Sequence, residues 1–151
     1  MKKTKKIASK TRRFFAYLID ILIIDLIIVY PFKNLLKSFN LDFNFNNLDQ
    51  LTQISNYGLL ITIGLSIGIL SLLYWTLMEY KLKQTIGKMI FNIKVSSEGN
   101  LEFWQALVRN ISKPININIL LLVDILYMLI NKTHLRLFDK LAKTEVVEVE
   151  K

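Results

Sequence analysis

Two aspartates, Asp20 and Asp25, lie inside an apolar segment that is long enough to cross a membrane. Between Phe14 and Phe32 there are thirteen Leu, Ile, Val or Phe residues, which favour insertion by about 4–8 kcal/mol. Each central aspartate costs about 2.5–3.5 kcal/mol, so the two nearly cancel this gain. Such carboxylates mark either an ion pathway or hydrogen bonds between helices. Both interpretations stay open for Asp20, and the structural one is favoured for Asp25.

A third apolar region carries more polar side chains that could line such a pathway, namely Asn116, Asn118 and Asp124. Counted over residues 117–130 it has about 21 Å of helix, which is short for a span, whereas residues 111–130 are long enough to cross. Lysines and arginines after this region favour a cytoplasmic C-terminus. We therefore expect a broken or re-entrant helical hairpin that brings these three residues near the first helix.

The remaining segments position these residues. Residues 58–78 carry no charge and predict the second transmembrane helix, and residues 33–57 fit an extracytoplasmic loop. Residues 102–113 have the pattern of an amphipathic helix. Residues 89–95 and 144–150 have strand patterns, and residues 96–100 predict a turn after the first strand. We expect these two strands to form a small juxtamembrane sheet in which Lys94 faces Glu145 or Glu148.

The composition excludes several classes of function. The chain has 52% hydrophobic residues, no cysteine and one histidine, which excludes disulfides, thiolate sites and a His-rich metal centre. Lys88 follows Gly87 without the glycine-rich cradle of a phosphate-binding loop. No arrangement of a catalytic triad or paired catalytic glutamates is present. We expect neither an enzyme nor a cofactor or metal.

The positive charge is concentrated at the N-terminus. The net charge is +8, yet seven of the twenty Lys and Arg residues lie within residues 1–13, and the other thirteen face twelve acids. A basic block beside a spanning helix indicates cytoplasmic retention and contact with anionic head groups of the lipid bilayer. Nucleic acid is therefore not an expected partner.

These patterns predict an all-α membrane protein with two full transmembrane helices, a broken or re-entrant third hydrophobic region and a small juxtamembrane two-stranded β element. Residues 1–13 form a basic tail, residues 14–147 the membrane domain, and residues 148–151 a C-terminal tail. Within the domain the first span covers 14–32, the second 57–78, and the amphipathic helix with the third segment 103–130.

Three blocks of the sequence resemble the RDD family of small integral membrane proteins, which is named for one arginine and two aspartates. They lie at residues 13–20, 84–110 and 136–147, in the order in which the family has them. The residues that match the family pattern are Arg13, Asp20, Gly87, Lys88, Arg109, Arg136 and Asp139. Arg13 is expected to extend to the head groups or to pair with Asp139, and Asp139 to cap a helix or to pair with Arg13 or Arg109.

The sequence departs from the family pattern at three positions where a glycine is common. Lys83, Asn92 and Lys143 stand there, so the tight turns at these positions are expected to differ. The region from Ser112 to Asp124 matches poorly, and the resemblance therefore assigns no role to Asp124.

The resemblance implies a fold and a location more firmly than an activity. For the family a transport role has been suggested, and some members look like cation/proton antiporters. Our leading hypothesis is a transporter of a small cation, proton or other small ligand that uses intramembrane carboxylates, chiefly Asp20. The alternative is a non-transporting scaffold or accessory subunit that docks a partner through its cytoplasmic elements. A homo-oligomer is expected, because so few helices can hardly enclose a path. The expected location is the cell membrane, multi-pass, with both termini cytoplasmic.

Overall fold

The computed structural model describes residues 6–38, 54–113, 118–131 and 135–149. Its elements follow one another in the order α1 Lys10–Ile24, a π-helical segment Asp25–Val29, α2 Tyr30–Ser38, α3 Ile54–Leu82, α4 Ile86–Ile90, β1 Ile93–Ser97, α5 Phe103–Asn110, α6 Asn118–Ile130, α7 Leu137–Leu141 and β2 Thr144–Glu148.

The first helix runs through α1, the π-helical segment and α2 without a break. It begins at Ser9, whose side chain accepts a hydrogen bond from the Arg12 backbone N–H at 3.4 Å, as an N-cap residue does. The backbone N–H of Tyr30 bonds to the carbonyl of Asp25, five residues earlier, which is the mark of a π turn. The predicted span at 14–32 lies wholly within this helix.

Two segments, Lys10–Asn34 and Gly58–Leu82, are long and apolar enough to cross a membrane. Only 17% and 22% of their most apolar windows are buried within the protein, whereas the core helix of a soluble protein would be mostly buried. Large apolar side chains such as Leu22, Leu26 and Leu65 are more than half exposed. These surfaces are suited to contact with lipid.

The third apolar region forms α6, which has thirteen residues and so about 20 Å of helix. Residues 114–117, where the expected break would fall, lie outside the described part of the chain. The re-entrant arrangement stays a prediction. The amphipathic helix before it is observed as α5, which begins with a reciprocal capping box between Glu102 and Gln105.

The small sheet is confirmed, with a correction at the start of its first strand. β1 and β2 pair antiparallel, from Ile93 opposite Glu148 to Ser97 opposite Thr144. The strand expected from Met89 begins only at Ile93, because the Thr85 side chain accepts the Lys88 backbone N–H and starts helix α4 instead.

The register of the sheet also corrects the expected cross-strand charge pair. Lys94 stands opposite Val147, and Glu148 pairs instead with Lys6 at 3.1 Å and Arg12 at 3.4 Å. The N-terminal segment lies along the other edge of β2, where the Ala8 N–H donates to the Val146 carbonyl. The N-terminal and C-terminal segments are therefore on the same side of the two long helices.

A small hydrophobic core joins the sheet to the first helix through Ala8, Ala16, Ile93 and Val146. Helix α4 lies directly on α1 at Gly87. A β-carbon there would overlap the Ala16 carbonyl oxygen, so this contact requires glycine.

Lys83, Asn92 and Lys143 have left-handed backbone conformations, with φ of 58°, 52° and 53°. Each follows the end of a helix, α3, α4 or α7, at the position where glycine commonly ends a helix. The three turns therefore keep the conformation that a glycine would adopt, and the expectation that they differ is wrong. The side chains present bear the steric cost of that conformation.

Replacing Lys143 by glycine is expected to stabilise the protein. The left-handed conformation costs an L-residue about 1–2 kcal/mol, and glycine avoids this cost. The greater freedom of glycine in the unfolded chain lowers the stability of the folded protein by about 0.5–1 kcal/mol and so offsets part of the gain. The expected gain is about 0.5–1 kcal/mol, measured by denaturant unfolding in detergent. The control is Lys81→Gly, which falls within α3 and should destabilise by about 1 kcal/mol. A loss of stability in the Lys143 variant would contradict this account of the turns.

Candidate functional site

Asp20 is buried and joins three elements. Its carboxylate accepts hydrogen bonds from the Thr85 hydroxyl at 2.6 Å, the Gly87 backbone N–H at 2.9 Å and the Tyr74 hydroxyl at 3.2 Å. The side chain is 1% exposed. All three donors are neutral groups of the protein, so Asp20 fastens α4 and α3 to the first helix.

A second buried carboxylate, Glu79 near the end of α3, has partners of a different kind. Its Oε1 lies 2.5 Å from the Lys88 ammonium and 3.2 Å from that of Lys113. Its Oε2 lies 3.0 Å from Arg109 Nε and accepts a hydrogen bond from Asn110 Nδ2 at 2.9 Å. Glu79 is 0% exposed. Three cations therefore surround one carboxylate where a candidate membrane span ends.

Arg109 connects Glu79 to the second aspartate of the family pattern. Its Nη2 lies 3.0 Å from Asp139 Oδ1, and Arg136 binds both oxygens of Asp139 at 3.0 and 3.1 Å. The Arg109 nitrogens are at ion-pair distance from both acids, but their N–H groups are not aligned as hydrogen bonds. Arg109 thus acts as a buried positive charge between two carboxylates, and the expected pair of Asp139 and Arg109 is present.

Asp124 joins the same group of charges from α6. It accepts hydrogen bonds from the Ser112 hydroxyl at 3.0 Å and the Phe138 backbone N–H at 3.2 Å, and Arg136 lies 3.8 Å away. The aspartate is fully buried. It links α6 to the start of α7.

We call this group the charge network. Its members are the acids Glu79, Asp124 and Asp139 and the cations Lys88, Arg109, Lys113 and Arg136. Three acids against four cations leave it with one excess positive charge when all are ionised. Buried charges persist only when they are paired, and here each acid has at least one cation within 4 Å.

The network changes the ionisation of its members outside the candidate spans. Burial lowers the pKa of the Lys88 ammonium from 10.5 to about 7, although the neighbouring Glu79 carboxylate acts in the opposite direction. Burial alone would raise the pKa of Asp139, but Arg136 and Arg109 outweigh it and hold that pKa well below its usual range. Asp139 is therefore a fixed negative charge, whereas Lys88 can release a proton near neutral pH.

Two buried oxygens beside Glu79 have no hydrogen-bond partner within the described part of the chain. They are Oγ1 of Thr76 and Oδ1 of Asn110. Thr76 lies three residues before Glu79 on α3 and so on the same side of the helix. Asn110 already holds Glu79 through its other amide atom. Hydroxyl and amide oxygens beside a carboxylate are the ligands that hard cations prefer.

The other predicted residues lie elsewhere. Asp25 is half exposed and pairs with Lys33 at 3.4 Å, away from the charge network. Arg13 donates from Nη2 to the Val146 backbone carbonyl at 3.0 Å, which ties α1 to β2. Asn116 lies outside the described residues, and Asn118 begins α6 but its side chain is not among those described.

Sequence reasoning missed Glu79 and Lys113, which hold the centre of the network. Glu79 directly follows the apolar run, and that position by itself indicates only a polar boundary. Lys113 lies 34 residues further on and has no pattern of its own. No local signal distinguishes Glu79, because its contact with Lys113, whose ammonium also lies 5.2 Å from the centroid of the Trp75 ring, is made only in the folded chain.

Among the described residues no three His, Cys, Asp or Glu side chains form a group that could hold a metal ion. A shallow surface pocket of about 200 Å³ lies elsewhere, on the sheet beside the end of α3. Its lining includes Lys83, Lys94 and Ser96 and contains no member of the charge network.

The fold is that of a helical protein with two candidate membrane-spanning helices and exposed apolar faces. A protein-family model for the RDD family matches residues 7–143, which is most of the chain. The chain belongs to the RDD family. No curated protein and no solved structure matches it.

Removing the charge of Asp139 is expected to destabilise the protein strongly. Asp139→Asn leaves Arg109 and Arg136 buried without this partner, and breaking a buried ion pair in this way costs about 3–5 kcal/mol. Denaturant unfolding in detergent at neutral pH measures the loss. The matched control is Glu98→Gln, an exposed residue of the turn after β1, which should change stability by less than about 0.5 kcal/mol.

The pH dependence of the same pair follows from the lowered pKa of Asp139. Its folded pKa lies below the ordinary value of 3.8, so its contribution to stability is present above about pH 4. This contribution is lost as the pH falls and the carboxylate is protonated. The difference in the free energy of unfolding between the native chain and the Asp139→Asn variant should therefore narrow as the pH falls below about 4. An unchanged difference would contradict the conclusion that Asp139 is ionised and paired in the folded protein.

Proposed function

We propose that the protein is a small membrane carrier that exchanges protons for a small cation at the charge network. Glu79 is the carboxylate that binds the cation, and Lys88 is the group that releases the proton. The observation that carries the proposal is the surroundings of Glu79, whose Oε1 is held by two lysine ammonium groups inside the protein.

The nature of these partners distinguishes Glu79 from Asp20. Lysine can lose its proton, and a small cation can then take the place of the ammonium charge beside the carboxylate. The donors on Asp20 are two hydroxyls and a backbone N–H, which carry no exchangeable charge. We therefore move the proposed cation site from Asp20 to Glu79 and assign Asp20 the role of holding α4 in place.

The exchange step conserves charge. The Lys88 ammonium gives up one proton, and one monovalent cation M⁺ enters beside the Glu79 carboxylate, with Thr76 Oγ1 and Asn110 Oδ1 as further oxygen ligands. The cation and the departing proton carry the same charge, so the buried network keeps its net charge. A Lys88 pKa of about 7 places this competition in the neutral range.

Membrane placement and oligomeric state complete the proposal. The adjacent N-terminal and C-terminal segments support a topology with both termini on one side, and the basic block at residues 1–13 supports the cytoplasmic side of the cell membrane. Two spans hardly enclose a path through a bilayer, so a homo-oligomer is the proposed functional unit.

A second candidate function is a non-transporting accessory subunit. The observation that favours it is that each acid of the charge network is already bound by groups of the protein, which suits a network that only holds the cytoplasmic elements to the spans. A carrier moves an ion across the membrane and an accessory subunit of this kind does not. A measurement of ion flux therefore distinguishes the two functions.

Two substitutions should abolish or weaken exchange while keeping the fold. Lys88→Arg keeps the positive charge but cannot release a proton, so cation-driven proton flux should fall at least about tenfold. Thr76→Val removes an oxygen that has no hydrogen-bond partner among the described residues, so it should leave stability nearly unchanged and weaken cation affinity. The measurement is proton release in proteoliposomes that contain a pH-sensitive dye, after addition of Na⁺, K⁺ or Li⁺.

Asp20→Asn is the control for a structural effect. It should lower the yield of folded protein, while flux per folded molecule is largely kept. Unchanged flux in the Lys88→Arg variant would overturn the assignment of the proton-releasing group. An absence of flux from well-folded native protein, with each of the three cations, would favour the accessory subunit.

The exchange rate should depend on pH in one direction. Below about pH 7 Lys88 keeps its proton and its ammonium group occupies the Glu79 carboxylate, so added cation releases few protons. As the pH rises through 7 the amine becomes neutral and cation entry becomes easier. The initial rate of uptake of radioactive Na⁺ should rise through this range, and a rate that falls with increasing pH would contradict the proposed competition.

A further inference from the structure

The first helix carries an ion pair on its outer surface. Lys33 Nζ lies 3.4 Å from Asp25 Oδ2, and the two side chains are 45% and 52% exposed. Both residues belong to the segment Lys10–Asn34 that is long and apolar enough to cross a membrane. Charged residues within a span almost always face the interior of a bundle or a cavity, so an exposed pair is unusual.

The depth of Asp25 makes contact with lipid unfavourable. Arg13 and Lys33 are twenty residues apart, which is about 30 Å of helix and close to the thickness of the hydrocarbon layer. Asp25 then lies about 12 Å below the boundary at Lys33. A lysine at the end of a span ordinarily extends towards the head groups, but Lys33 turns back into the layer to reach Asp25.

The π-helical segment is what brings the two charges together. In a regular α-helix, residues eight apart point in directions that differ by about 80°. The segment Asp25–Val29 lies between them, with the Tyr30 N–H bonded to the Asp25 carbonyl five residues back. A π turn holds more residues than an α turn and therefore rotates the chain less per residue, which moves Lys33 towards the side of Asp25.

We propose that this face of the first helix is the surface on which a second copy of the chain docks within the membrane. The face is formed by Asp25 and Lys33 with the exposed apolar side chains of Leu22, Leu26 and Tyr30, which are 61%, 68% and 62% exposed. Docking would bury the ion pair and these three side chains together.

Charge complementarity identifies a second copy as the partner. A copy in the same membrane orientation presents the same aspartate and the same lysine at the same two depths. About a twofold axis along the membrane normal, each Lys33 can then lie between its own Asp25 and the Asp25 of the other copy. The four charges sum to zero, and lipid tails at this depth offer no such partner.

Cysteine cross-linking tests the face directly, because the chain contains no cysteine of its own. Leu26→Cys should form a covalent dimer when the protein is oxidised in lipid vesicles. The control is Ile69→Cys on α3, which is 58% exposed and lies outside the proposed face, and it should form little dimer. Adding Asp25→Asn and Lys33→Met to the Leu26→Cys chain should lower dimer yield about tenfold.

A charge-reversed chain distinguishes a specific pair from general helix contact. Asp25→Lys combined with Lys33→Asp keeps the pair and should keep much of the dimer, while either single reversal should lose it. Equal cross-linking at positions 26 and 69, or an unchanged yield in the neutral variant, would overturn the proposal. Cross-linking of position 26 to a different protein in native membranes would also overturn it. These results do not depend on whether the protein transports ions.

Discussion

The arrangement of the short elements around the end of α3 depends on the need to compensate one buried carboxylate. Glu79 is fully buried, and an unpaired charge in such surroundings would not stay ionised. Its cationic partners come from α4, which carries Lys88, and from the C-terminal end of α5 and the residues after it, which carry Arg109 and Lys113. Satisfying this one charge therefore fixes where α4 and α5 lie against α3.

The constraint extends through Arg109 to the rest of the network. Arg109 cannot lose its proton, so a buried Arg109 needs acid partners, which are Glu79 and Asp139. Asp139 in turn binds Arg136, and Arg136 lies near Asp124 on α6. Each charge makes the burial of the next one tolerable. Arg109 and Asp139, which both match the family pattern, meet here and join α5 to α7.

The two aspartates of the first helix also need partners for their carboxylates, and they find them in different ways. Asp20 accepts hydrogen bonds from neutral donors of α3 and from Thr85 and Gly87 at the start of α4, and so holds these elements to the first helix. Asp25, five residues later, pairs with Lys33 of its own helix and stays exposed. Asp20 therefore ties elements of one chain together, whereas Asp25 belongs to the face on which we propose that a second copy docks.

The features that depend on local pattern could be predicted from the amino-acid sequence. The length and composition of the apolar runs predicted both candidate spans, and the motif blocks predicted the family that the family model confirms. The alternation near the C-terminus predicted β2. The positions at which the family commonly has glycine marked the turns at Lys83, Asn92 and Lys143, but they did not predict that these residues would themselves adopt the left-handed conformation.

Which charges meet depends on the packing of the whole chain and could not be predicted from local pattern. Glu79 and Lys113 are 34 residues apart, and Asp20 and Gly87 are 67 apart, so no local period relates them. Such contacts arise because burial in the packed fold removes water from several charges at once, and each must then find a partner among whatever residues the fold brings near. For that reason the sequence indicated Asp20 as the centre of the candidate site, while packing placed Glu79 at the centre of the charge network.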